Sequence, residues 1–356
     1  LQRATQVDDP LPVEPRVRRF PYLKVAAALV CVGVALYPAR LSSMLSPDRF
    51  RTTEPEGRDR GPESGKVWMV ESTAAYETYS NGLRVEKQWA TPNRPRPRYR
   101  VFSRELPKFD RFGWREGVAG IVFHTTESHI APFQEEANNQ LRRVGRNLLA
   151  EIQIRRCYHY LIDRFGRVWR VVEEDQVAWH AGKSVWADPE GVYVNLNDSF
   201  LGVSFEAQTY HQEQPIATPA QIHAARILTE MLRAKYRIPA ANCVTHAQVS
   251  VSAASMKVGY HTDWAANFPY AEMGLSDNYG APLPALWAFG FQYDEIFRRA
   301  TGERMWRGLE KADAHLREQA KRAGLAEPQY RQILQQRYKE LIAALYSADE
   351  EQANES

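Results

Sequence analysis

The chain has 356 residues, 44% hydrophobic and 25% charged, enough for one substantial domain with appendages. A net charge of +3 gives no basis for nucleic-acid binding. Three cysteines (Cys31, Cys157 and Cys243) without a CxxC pair exclude a disulfide framework and leave the redox compartment open.

Residues 1–19 are polar and end in Arg16-Val17-Arg18-Arg19. Val25 to Tyr37 then carries no charge, which is the length of a signal-peptide core. Counting Phe20 to Leu23, with Lys24 snorkelling, brings the segment near the length of a thin or tilted membrane span. The basic flank predicts the N-terminus inside the cell and the later chain outside it. Tyr37-Pro38-Ala39-Arg40 is a poor cleavage site, so a retained anchor is favoured over a removed signal in residues 1–45. Residues 46–65, rich in Pro, Gly, Arg and acidic residues, read as a linker.

Residues 66–110 read as a small β element. Lys66–Glu71 and Tyr76–Tyr79 are strands, and Asn81-Gly82 supplies a tight turn into Leu83–Glu86. From 111 to 275 strands alternate with helices. Val118–Phe123 reads as a buried strand, and Phe133–Ile152 as a helix interrupted by Gly145. Tyr158–Asp163 and Val168–Val172 form a hairpin, and Phe200–Ala207 is another apolar strand. Thr218 and Pro219 cap a helix running to Lys235. The fold class is therefore α/β, a mixed central sheet flanked by helices. Residues 276–356 form an aromatic and helical extension. In its last helix Tyr330, Ile333, Leu334, Tyr338, Leu341, Ile342 and Leu345 share one face, either a packed hairpin or a docking surface for a protein partner or the cell wall.

Three separated residues carry the chemistry. His124 ends the strand Gly120–Phe123, His246 follows Thr245, and Asp263 closes Tyr260-His261-Thr262-Asp263. Two imidazoles and a carboxylate are good zinc donors and leave the fourth tetrahedral position open for water, as in a catalytic site. His261 is near enough in sequence to replace Asp263 as a ligand.

Gly120–Thr126 resembles the opening strand of the zinc amidase family of N-acetylmuramoyl-L-alanine amidases, phage lysozyme-type amidases and peptidoglycan recognition proteins. Further similarities follow in that family's order: Cys157–Ile162 with its Tyr-His strand, Ala178-Trp179-His180-Ala181-Gly182 with its Trp-His-Ala-Gly loop, Asn197–Phe205 with its Ser-Ile-Gly-Ile strand, Thr218–Gln221, Thr245-His246 and His261–Asp263. The resemblance covers less than half the chain. It implies one zinc ion held by His124, His246 and Asp263, and hydrolysis of the amide between the muramoyl lactyl group and L-alanine in peptidoglycan or a muropeptide. It also implies the variant with Tyr158 helping the water, since Ser204 stands where other members have glutamate. Glu206, two residues on, shares the strand face of Ser204 and is a candidate general base. His261 stands where the family usually has lysine; protonated, it would stabilise an oxyanion. Thr125, Thr126 and His180 are expected to touch substrate, and His159 to be structural. Ser252–Tyr260 reads as an insertion. That insertion and the His261 position motivate the alternative, a non-catalytic peptidoglycan-binding or scaffolding protein on the same fold. Either reading places the domain in the cell envelope, outside the cytoplasm and tethered to the membrane or exported.

Overall fold

Apolar runs covered on both faces form the central strands, and more polar, exposed runs form edge strands. In chain order these are β1 (Met69–Ser72), β2 (Tyr76–Tyr79), β3 (Arg84–Glu86), β4 (Tyr99–Phe102), β5 (Phe112–Arg115) and β6 (Gly120–Thr125). Helix α1 (Asn138–Arg155) precedes β7 (Tyr160–Ile162), β8 (Val168–Arg170), β9 (Val185–Asp188), β10 (Gly191–Val194) and β11 (Phe200–Phe205). Then come α2 (Pro219–Tyr236), β12 (Cys243–Thr245), α3 (His246–Val249), β13 (Val251–Ser252) and β14 (Lys257–Val258). The chain closes with α4 (Pro284–Phe289), α5 (Glu295–Ala300), α6 (Glu303–Arg322) and α7 (Glu327–Glu355). This computed structural model describes residues 66–105, 111–209 and 216–355, with side chains to 345. The apolar segment and linker expected within residues 1–65 lie outside the described residues. No helix among the described residues is long and apolar enough to cross a membrane.

The main sheet is mixed, in the order β1-β2-β3-β8-β7-β11-β6-β12. Its centre is parallel: β11 pairs with both β6 and β7, and β12 with β6. β6 and β11 are buried at every residue, as expected for parallel strands covered on both faces. Period-two alternation then assigns their chemistry. Ile121, Phe123, Leu201, Val203 and Phe205 face the main core with Ala225, Leu228 and Leu232 of α2. His124 and Ser204, paired in register, face the other way. α2 begins where expected: the Thr218 hydroxyl accepts from Gln221 N, and the Gln221 side chain accepts from Thr218 N, a capping box.

The small β element is built into this sheet, because β3 pairs in parallel with β8. Its Asn81-Gly82 turn forms as expected, with Gly82 at φ 84°. β4 and β5 join β9 and β10 in a second, four-stranded antiparallel sheet. Buried ion pairs fasten the element. Arg170 on β8 takes Glu77 of β2 in a two-pronged contact at 3.0 and 2.8 Å, and reaches Glu174 at 3.4 Å.

The C-terminal extension packs on the domain. Trp287, Phe289, Leu309, Leu316 and Tyr338 belong to the same core as the central strands, and the Tyr338 hydroxyl donates to Lys183 O at 2.9 Å. The packed stripe of α7 is narrower than its sequence pattern: Leu334, Tyr338, Leu341 and Ile342 are buried, whereas Ile333 is 45% exposed. Ser252–Tyr260, which reads as an insertion, folds into the β13–β14 hairpin. The extension braces it: Val258 N donates to Gln292 O, and Gln292 N to Met256 O. Phe297 of α5 sits so close to Gly259 that a Cβ there would lie 2.1 Å from its ring. Cys157 and Cys243 are both free thiols.

Candidate metal centre

Three backbone features bring the ligand candidates together. His124 leaves the end of β6 on the face away from α2. His246 is the first residue of α3, whose start is fixed by the Thr245/Gln248 capping box. Asp263 follows the β13–β14 hairpin, and its carbonyl accepts from Ala247 N. One ligand atom from each of His124, His246 and Asp263 lies within 4.8 Å of the other two. Asp263 Oδ2 is 3.3 Å from His124 Nδ1 and Oδ1 is 2.9 Å from His246 Nδ1. Donors about 2.0–2.1 Å from a tetrahedral zinc ion stand roughly 3.3 Å from one another, so this donor set fits the ion in chemistry and spacing. All three side chains are buried.

The electrostatics suit a cation. Burial would raise the Asp263 carboxyl, but His246 and His124 beside it hold it well below the usual carboxylate range. Burial, followed by the neighbouring His246, pushes His124 down to about 4, so its ring is neutral at physiological pH.

A chain of hydrogen bonds selects which nitrogen of His124 is free. The Phe200 carbonyl, an acceptor only, lies 3.2 Å from His180 Nε2, so that nitrogen carries the proton. Burial keeps His180 neutral, leaving its Nδ1 as an acceptor 3.2 Å from His124 Nε2. His124 therefore donates from Nε2 and keeps the Nδ1 lone pair toward Asp263. Other contacts hold this arrangement. The side-chain Oδ1 of Asn197 accepts from the backbone N–H of His180, Ala181 and Gly182. Gly202 has no Cβ because one would lie 2.6 Å from the His180 ring. The Trp264 indole donates to His124 O at 3.1 Å. His180→Ala is expected to weaken zinc binding by about 10–100-fold. His180→Asn, which keeps an acceptor near the Nδ1 position, should recover part of the loss; competition with a zinc chelator would measure both.

The remaining candidates divide. Tyr158 lies with its ring 5.2 Å from His124, and burial raises its hydroxyl well above the ordinary tyrosine range, so it remains an O–H donor. His261 stacks on His246 at 4.6 Å; burial and then His246 lower its pKa, which favours the neutral ring over the expected cation. The backbone N–H of His261 donates to Ser250 Oγ. Asp263, not His261, joins the metal cluster. Ser204 is buried beside His124 in register, with its side chain against the Tyr158 hydroxyl.

Other placements differ from expectation. His180 is only 7% exposed and is turned inward onto His124 rather than toward a groove. The Thr125 hydroxyl donates to Glu127, and that of Thr126 pairs with Ser128. Glu206 lies one residue past the end of β11, where Arg164 N donates to it and α1 covers it, and it makes no hydrogen bond to the metal cluster. His159 is fully buried, accepting from Gly202 N. The inward role of His180 and the clasp of Asn197 were the features that sequence reasoning missed; their one signal was the Trp179-His180 and Asn197-Asp198 segments lying among the quoted motifs.

Residues 114–263 match the family model Amidase_2, described as N-acetylmuramoyl-L-alanine amidase. This stretch, less than half of the chain, is similar to that family. Curated relatives include the N-acetylmuramoyl-L-alanine amidase AmiD of Escherichia coli K12, 33% identical over 89 residues, 24% of this chain and 31% of that protein. The 1,6-anhydro-N-acetylmuramyl-L-alanine amidase AmpD of Haemophilus influenzae is 33% identical over 117 residues, 32% of this chain and 59% of that protein. The chain thus spans less than two thirds of either relative. Among solved structures, the E. coli AmiD complex with anhydro-N-acetylmuramic acid-L-Ala-D-γ-Glu-L-Lys aligns at 25% identity over 45% of this chain and 58% of that one, with a TM-score of 0.35. The metal cluster falls inside the matched stretch, while the β1–β3 meander and α4–α7 lie outside it.

Proposed function

We propose that the matched stretch is a zinc-dependent N-acetylmuramoyl-L-alanine amidase, cutting the amide between the muramoyl lactyl group and L-alanine in peptidoglycan or muropeptides. The observation that carries this reading is the buried His124-His246-Asp263 cluster, its ligand atoms within 4.8 Å of one another, inside a stretch that matches the amidase family. Bound there, zinc supplies Lewis acidity, lowering the pKa of a water toward about 7 and polarising a carbonyl.

The chain's own residues do the rest. His180 and Phe200 O fix the His124 tautomer. Tyr158 offers its hydroxyl proton to the oxygen that gains charge as the amide carbonyl becomes tetrahedral. His261, neutral and stacked on His246, is placed to take a proton and return it to the leaving amine of L-alanine. Glu206, hydrogen-bonded under α1, is left without a part in this scheme. The complete ligand set weighs against a binding-only protein. A peptidoglycan substrate also puts the domain on the extracytoplasmic side, as the basic flank of the apolar segment implies. Tyr158→Phe should keep its zinc while kcat on muropeptides falls about 10²–10³-fold, the loss of one oxyanion donor. Chelation should abolish the wild-type activity and zinc restore it; activity indifferent to chelation would refute the proposal.

A further inference from the structure

Between α1, β8 and the turn joining β7 to β8 lies a cavity of about 350 Å3, near the lower end of pockets that hold small molecules. Glu206 lines it and is 3% exposed. Arg164 N donates to Oε2 at 3.2 Å, whereas Oε1 has no hydrogen bond among the described residues. The neighbouring Asp163 is by contrast saturated, accepting from Phe165 N, Arg167 N, Arg167 Nε and the Trp169 indole. Glu206 Oε1 is not sealed off but opens to the cavity, where a donor held in the cavity can reach it.

Gly145 opens the way to it. Glycine in a helix interior is unfavourable by about 1 kcal/mol relative to alanine. At this position a Cβ would meet only the two Glu206 oxygens, each at 3.7 Å. Packing therefore does not demand glycine; its effect is to leave the carboxylate bare toward the cavity. Trp89, Phe165 and Trp169 supply apolar walls, and Arg142 and Arg146, one helical turn apart and both exposed, supply positive charge.

We propose that this cavity is a second binding site, for an amino acid or short peptide held by both its charges. The ammonium sits on Glu206, the carboxylate on Arg142 and Arg146, and the apolar stem lies against the aromatic walls. Burial pushes the Glu206 carboxyl up to about 7, so the carboxylate needed for an ammonium is gained as pH rises through that value. The groups facing Glu206 are Asp163, Arg164 and Arg167 from the β7–β8 turn and Arg142 and Arg146 from α1. The site stands independently of the amidase reading, since its test is binding.

Calorimetry on the whole chain with 6-aminohexanoic acid, hexylamine and hexanoic acid separates the two charges. The two-ended compound should bind at least about tenfold more tightly than either one-ended one, and more tightly at pH 8 than at pH 6. Glu206→Gln and Gly145→Ala should each weaken it about tenfold, and Gly145→Ala should do so with an unchanged or raised Tm. Equal binding of the three compounds, or no binding at about 10 mM, overturns the proposal. So does binding of N-acetylglucosamine oligomers in the cavity that is indifferent to Glu206→Gln, which would make the aromatic walls a sugar platform.

Discussion

His124→Ala is expected to remove both zinc and activity, taking the metal content of the purified protein from about one per chain to near zero. Hydrolysis of muropeptides should fall to below about a thousandth, a barrier increase of ~4 kcal/mol. The reasoning starts from the tautomer relay: Nδ1 of His124 is the nitrogen left facing Asp263, so deleting the ring removes one of the three donors of the cluster. The imidazole is 1% exposed, so its removal also opens a void that lowers stability. Asp263→Asn separates the effects. It preserves shape while removing the charge, and should lose zinc with the fold retained. Elemental analysis beside a thermal melt would check both variants. Full zinc and full hydrolysis in His124→Ala would disprove the ligand assignment.

The second large effect concerns stability. Arg170→Ala is expected to cost about 3 kcal/mol, because it removes the two-pronged partner of buried Glu77 and one partner of buried Glu174. Lys87 and Lys235 remain as their cationic partners, and Tyr160 as a donor to Glu174. The pH dependence has a definite sign. Burial alone would raise the Glu77 carboxyl, but the hydrogen bond and charge of Arg170 prevail and bring it from 4.5 to about 2. A depressed carboxyl stabilises the fold above its unfolded pKa, and that contribution is lost as pH falls through its folded value. The gap between wild type and variant should therefore be full above about 4.5 and shrink toward pH 2. Urea unfolding followed by circular dichroism across that range would show it. A gap that does not change with pH would mean that Arg170 acts through packing alone.

The central elements were legible because their signals are local. The apolar run Gly120–Phe123 becomes β6, Thr218-Pro219 starts α2, and Asn81-Gly82 turns β2 into β3. The three metal-cluster residues were legible for a related reason: each sits at the end of an element or just past it, where chain direction alone decides exposure to the site. What stayed hidden depends on contacts between distant segments. That β3 would pair with β8, and so merge the small element into the main sheet, rests on two registered residue pairs about eighty positions apart. His180 turns inward because Asn197, in another loop, holds its backbone. The Thr125 hydroxyl is taken up by Glu127, whose left-handed backbone no pattern announced. For Glu206, strand alternation named the right face, but its place beyond the end of β11 puts it under α1.

The most direct test of the amidase account is mass spectrometry of a purified muropeptide after incubation with the zinc-loaded protein. The account predicts a stem peptide with a free L-alanine amino group, beside a glycan that keeps its lactyl carboxylate. A muropeptide left intact, or one cut at a different bond, would contradict it.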